Sequence, residues 1–121
     1  CYGDPGHKHI VEPKDLATSV SFANGISKST KREINFMHMP VPVNRKDEDY
    51  FIPLRNLKMD SITRLILGLV HHSDGLEGSK ARVAVAETII EEFDIATECG
   101  FGRRASETIP ELLQIHRDLC D

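Results

Sequence analysis

Apolar positions along the chain change period several times, and each change marks an element. Pro13 suits the first turn of a helix, Leu16, Val20 and Ala23 keep helical spacing, and Gly25 supplies a stop, which predicts a helix over 13–25. "EINFMHM" (Glu33–Met39) reads as a short buried strand ending near His38, because the prolines of "PVPVNR" do not let a central strand continue. Asp47–Leu57 opens with acids suited to a helix N-terminus and is limited by Pro53. "TRLILGLV" (Thr63–Val70) is apolar almost throughout and gives way to "HHSDGLEG", the pattern of a strand buried on both faces followed by a loop.

The second half repeats the alternation. In "SKARVAVAETIIEEF", Val83, Ala86, Ile89 and Ile90 share one helical stripe, and "DIATEC" is a third strand. Thr108 and Glu111 have capping-box spacing ahead of a last helix with a stripe of Ile109, Leu112, Leu113, His116 and Cys120. With Cys1 to Asp4 as the tail of a preceding strand, strands and helices alternate along 1–121, the signature of an α/β fold with a parallel sheet. A complete (β/α)₈ barrel takes about 250 residues. About four βα units in one domain therefore predict the C-terminal half of such a barrel, with helices on one face of the sheet and an N-terminal half upstream.

Composition narrows the setting. At 40% apolar and 28% charged residues with a net charge of -4, the chain has the balance of a globular domain and nothing that invites nucleic acid. The run "LILGLV" is far shorter than the roughly 20 residues a membrane helix needs, and no signal peptide opens the chain, so no membrane partner and a cytoplasmic setting are expected. Cys1, Cys99 and Cys120 form an odd set with no CxxC pair, which argues against a disulfide scaffold and leaves core, ligand or reactive roles.

The predicted strand ends carry Cys1, His38, His71 with His72, and Cys99. Ligands of parallel α/β folds bind beyond the carboxyl ends of the strands, and thiolate with imidazole is a donor mixture that zinc favours. A cysteine standing alone at a strand end is more often a small core residue. His116 and Cys120 read as packing residues, and His7 and His9 as solvated loop positions. "GLEGSKAR" and "GFGRR" have the composition of loops that cradle a phosphate or carboxylate, which is a weak signal.

"ATECGFGRR" resembles the "DCGLKTR" segment of cobalamin-independent methionine synthases, where the cysteine is a zinc ligand, and Cys99-Gly100 fall on its Cys-Gly. "CYGD" is similar to the family's His-x-Cys-Tyr motif without its first two residues, which makes Cys1 the second ligand. "LGLVHHSDG" resembles the glycine-rich strand ending in "DIHSPR", with His72-Ser73 on its His-Ser, the histidine assigned as general acid. Where that family has a glutamate ligand in "IENSRS", this chain reads "FMHMPVPVNR" and offers His38.

The resemblance implies a Zn²⁺ held by Cys1, His38 and Cys99, His72 as general acid oriented by Asp74, and His71 with Arg103 on the substrate. The implied activity is methyl or alkyl transfer to a small-molecule thiol, resembling homocysteine S-methylation in methionine synthesis. Arg104 reads either as a second carboxylate contact or as a solvated helix turn. Two other readings stand beside it: a metal-free lyase of the decarboxylase type that binds carboxylates through arginines and histidines, and an inactive half-barrel that pairs with its other half or with itself.

Overall fold

The computed structural model describes residues 9–121; Cys1 and the expected leading strand lie outside the described residues. The elements run α1 (Ala17–Ser29), β1 (Phe36–Pro40), α2 (Glu48–Phe51) with a 3-10 turn at Ile52–Asn56, β2 (Arg64–Val70), α3 (Gly75–Glu87), β3 (Asp94–Thr97) and α4 (Ile109–Cys120). The three strands form one parallel sheet in the order β1-β2-β3, the α/β alternation expected from the pattern.

β2 is central because its alternating leucines fill the core. Leu65, Leu67 and Leu69 are buried with Leu16, Val20 and Ala23 from the α1 region, Tyr50, Phe51 and Leu54 from the α2 segment and Ala86 of α3. Each leucine, valine or phenylalanine among them contributes about 1.5–3 kcal/mol on leaving water. A second cluster of Val70, Leu112 and Ile115 seats α4 beside it, with Ile95 packed against both clusters. β2 is buried or half-buried on both faces from Leu65 to Val70, as its unbroken apolar run suggested; exposure among the described residues comes at the amino end of the sheet, where Phe36 is 59% exposed and Arg64, also exposed, pairs with Asp94 at 2.5 Å.

Several boundaries move. β1 runs on to Pro40, so His38 sits inside the strand; β1 pairs only with β2 among the described strands, and an edge strand tolerates a proline. "GLEGSKAR" is the start of α3 instead of a loop. Gly78 permits this, since a Cβ there would collide with the Asp74 carboxylate folded over the first turn. That helix stops at Glu87, short of Ile89 and Ile90. In α4 no side-chain cap bond forms at Thr108, whose Oγ1 donates to Ala105 at 2.8 Å, and Ile115 is buried while Leu113 and Cys120 face out.

Arg45 closes the chain on itself. Its Nη1 donates to the Lys14 carbonyl at 2.7 Å, its Nε and Nη2 hold Asp47, and its guanidinium stacks 4.7 Å above the Tyr50 ring. The Leu16 amide adds a bond to the Tyr50 carbonyl at 3.1 Å, so the entry to α1 is stitched to α2.

Candidate functional site

A parallel sheet brings its carboxyl ends to one rim, and here that rim is polar. At its centre is Arg82, whose side chain is fully buried. It donates to the Leu69 carbonyl at the end of β2, to the Val43 carbonyl after β1, and to both carboxylate oxygens of Asp74 at 2.7 and 2.8 Å. Lys46 adds a contact to Asp74 at 2.9 Å. Burial pushes the Asp74 carboxyl up, but the bonds from Arg82 and Lys46 outweigh it and hold Asp74 at about 2.

Asp74 therefore does not orient His72. The carboxylate that bonds His72 is Glu111 on α4, with Nε2 to Oε2 at 3.0 Å. His71 points inward instead: it is 8% exposed, and its Nε2 donates to the Val41 carbonyl at 2.7 Å. Burial, and then the charge of Arg82, lower its pKa to about 4 against the pull of the Val41 bond, so the ring is neutral at pH 7. Glu98, the residue after β3, lies with Oε2 3.6 Å from His71 Nδ1 and is ion-paired to Arg104.

His38 lies on the sheet face opposite Leu67 and Leu69. Its Nε2 and the Thr97 carbonyl oxygen each sit 3.2 Å from the point that a Cβ on Gly68 would occupy, so the ring of β1 crosses β2 where β2 has no side chain. There it hydrogen-bonds Thr97 of β3; partial burial lowers its pKa, and the Thr97 bond opposes that shift. Cys99 is exposed two residues beyond Thr97 and carries a free thiol. Gly100 follows at φ +90°, and the Arg103 guanidinium folds over it where a Cβ would collide.

Of the expected zinc ligands, His38 and Cys99 are among the described residues and Cys1 is not. Histidine ligands commonly donate one ring N–H to a backbone carbonyl, and His38 bonds the backbone of Thr97. Among the described residues no group of three or more His, Cys, Asp or Glu side chains is assembled to hold a metal, and Cys1 lies outside them. Among the described residues no helix is long and apolar enough to cross a membrane.

Lys46, Arg82, Glu98 and Glu111 were not legible as rim residues. Arg82 falls on a helix of ordinary composition, and only its 0% exposure distinguishes it. No known protein family, curated protein or solved structure matches this chain.

Proposed function

We propose that this chain supplies the carboxyl-end rim of a thiol alkyltransferase of the methionine-synthase-like type, as one half of a (β/α)₈ barrel, with zinc held by Cys1, His38 and Cys99. The observation that carries the reading is the His38 ring bonded to Thr97, which sets an imidazole against the strand whose end presents Cys99 two residues later. When bound, zinc supplies the Lewis acidity that keeps a substrate thiol as thiolate at neutral pH.

The chain's own residues do the rest. His38 is neutral at pH 7, the form in which imidazole donates a lone pair. His72, steadied by Glu111, hands a proton to the leaving atom as the thiolate attacks the alkyl carbon. Arg103, at the turn that follows Cys99, meets a substrate carboxylate. Asp74 acts through Arg82, holding the turn that carries His71 and His72.

The decarboxylase-type reading has less support, because Arg82 and Arg104 are engaged by Asp74 and Glu98 within the chain. Metal analysis of the purified chain tests the proposal. One zinc per chain is expected, lost in both Cys99→Ser and His38→Ala; a folded chain that purifies without zinc and takes none up, or zinc retained in Cys99→Ser, overturns it.

A further inference from the structure

Charge is divided across the amino end of the sheet, the end away from the carboxyl rim. On the β1 side, Asn24 of α1 donates to the Asn56 carbonyl at 2.9 Å and accepts from the Lys58 amide at 2.7 Å. These bonds place Lys28, one turn beyond Asn24, on the same flank as Arg55 and Lys58, and all three are exposed. The turn into β1 adds Lys31 and Arg32 against Glu33. On the β3 side the sign reverses. Glu87 ends α3, Glu91 and Glu92 lie in the link to β3, all are exposed, and no lysine or arginine occurs between Arg82 and Arg103. Among the described residues none of these side chains is in an ion pair within the chain. Between the flanks, Thr63 Oγ1 donates to the Ile34 carbonyl and the Arg64 amide to the Asn35 carbonyl, which holds the turn before β2 against the start of β1. That turn carries Asp60 and Ile62; Ile62 is 52% exposed and Phe36 59%.

An end with exposed apolar side chains in the middle and flanks of opposite sign is complementary to itself. A half-turn about the normal to the sheet reverses the strands and exchanges the β1 and β3 sides, while α1 and α3, which pack on the same face of β2, stay on that face. A copy so placed sets each basic flank on the partner's acidic flank, with Phe36 and Ile62 in the middle. A twofold axis along the line β1-β2-β3 would set like charge on like. We propose that the amino end of the sheet is a docking surface for a second copy of this chain, joined about a twofold axis normal to the sheet. An apolar centre with a polar rim is how such interfaces are built, and the isologous contact closes on itself. The charges fix orientation and make the contact sensitive to salt. Both carboxyl rims stay open, so the inference stands apart from the zinc reading.

Sedimentation of the full chain over a range of concentrations tests it. A monomer–dimer equilibrium is expected, moving toward monomer as salt is raised. Lys28→Glu/Arg55→Glu/Lys58→Glu turns the basic flank acidic, and Glu87→Lys/Glu91→Lys/Glu92→Lys turns the acidic flank basic. Each triple variant is expected to weaken its own dimer by about tenfold or more. An equimolar mixture of the two should restore a dimer containing one of each, resolved by native mass spectrometry, and Phe36→Ser in both should weaken that mixed dimer. All these positions are exposed, so the variants should keep the native circular dichroism spectrum. The proposal is overturned if the wild-type chain stays monomeric at low salt up to about 1 mM, or if the triple variants dimerise as the wild type does. It is equally overturned if mixing gives no mixed dimer, or if Phe36→Ser leaves the mixed dimer unchanged.

Discussion

Arg82 grips both carboxylate oxygens of Asp74 from a position with no exposure to water, and the same guanidinium holds carbonyls from two different strand ends. Breaking such a pair on one side leaves a buried charge without its partner. Asp74→Asn is expected to lower unfolding free energy by about 3 kcal/mol, and Arg82→Ala by at least as much, because Arg82→Ala also orphans the Leu69 and Val43 carbonyls. Urea midpoints measure this; a change under about 0.5 kcal/mol, the level of a surface substitution, would show the pair to be ornamental.

Acid should weaken the fold in two stages. His71 is a base whose folded pKa is depressed from 6.5 to about 4, so the unfolded chain binds the extra proton between those values. Its contribution, on the order of 3 kcal/mol, is complete above pH 6.5 and disappears as pH falls to about 4. Asp74, held at about 2 against an ordinary 3.8, adds a later loss between those two values, on the order of 2 kcal/mol. Unfolding free energy measured against pH should show both stages in the wild type and only the second in His71→Gln; identical curves would refute the assignment.

Gly68→Ala is expected to disturb two neighbours at once. A Cβ at 3.2 Å from both His38 Nε2 and the Thr97 oxygen requires each to give by a few tenths of an ångström, at a cost of about 1–3 kcal/mol for an overpacked site. The diagnostic is the His38 ring: its signals should shift toward those of an imidazole in water. Unchanged ring signals in a destabilised variant would mean that the strain goes elsewhere.

Gly100→Ala meets both a left-handed backbone at φ +90° and the Arg103 guanidinium. A loss of about 1–2 kcal/mol is expected from the backbone alone. Gly102→Ala, with nothing near its Cβ, serves as the control and should be close to neutral. Equal effects at the two glycines would argue against the conformational account.

The sheet was legible in the sequence because β2 writes itself as an apolar run: Thr63–Val70 was expected and Arg64–Val70 is found. The start of α3 was not, since Gly75 and Gly78 imitate a loop until the Asp74 side chain is seen lying over the missing Cβ. His38 reads as a strand end only because a proline follows Met39, and β1 accommodates that proline as its last residue. The partners of His71 and His72 come from 30 and 39 residues away, and no local period records that Val41 and Glu111 will meet them. Arg104 reached the rim through a contact to Glu98, a residue that reads only as a polar step between β3 and Cys99.

The Arg45 stitch means that the chain passes one place twice, at Lys14 and again 31 residues later, and the segment between is a ring closed without a covalent bond. A cut in the exposed 31–33 turn inside that ring would therefore leave both new ends attached, the first through Leu16 and the packed face of α1, the second through β1 in the sheet. A protease that recognises Lys31 or Arg32 should yield a nicked protein that still elutes as one body, and the same turn is where new chain ends for a circular permutant would do least harm.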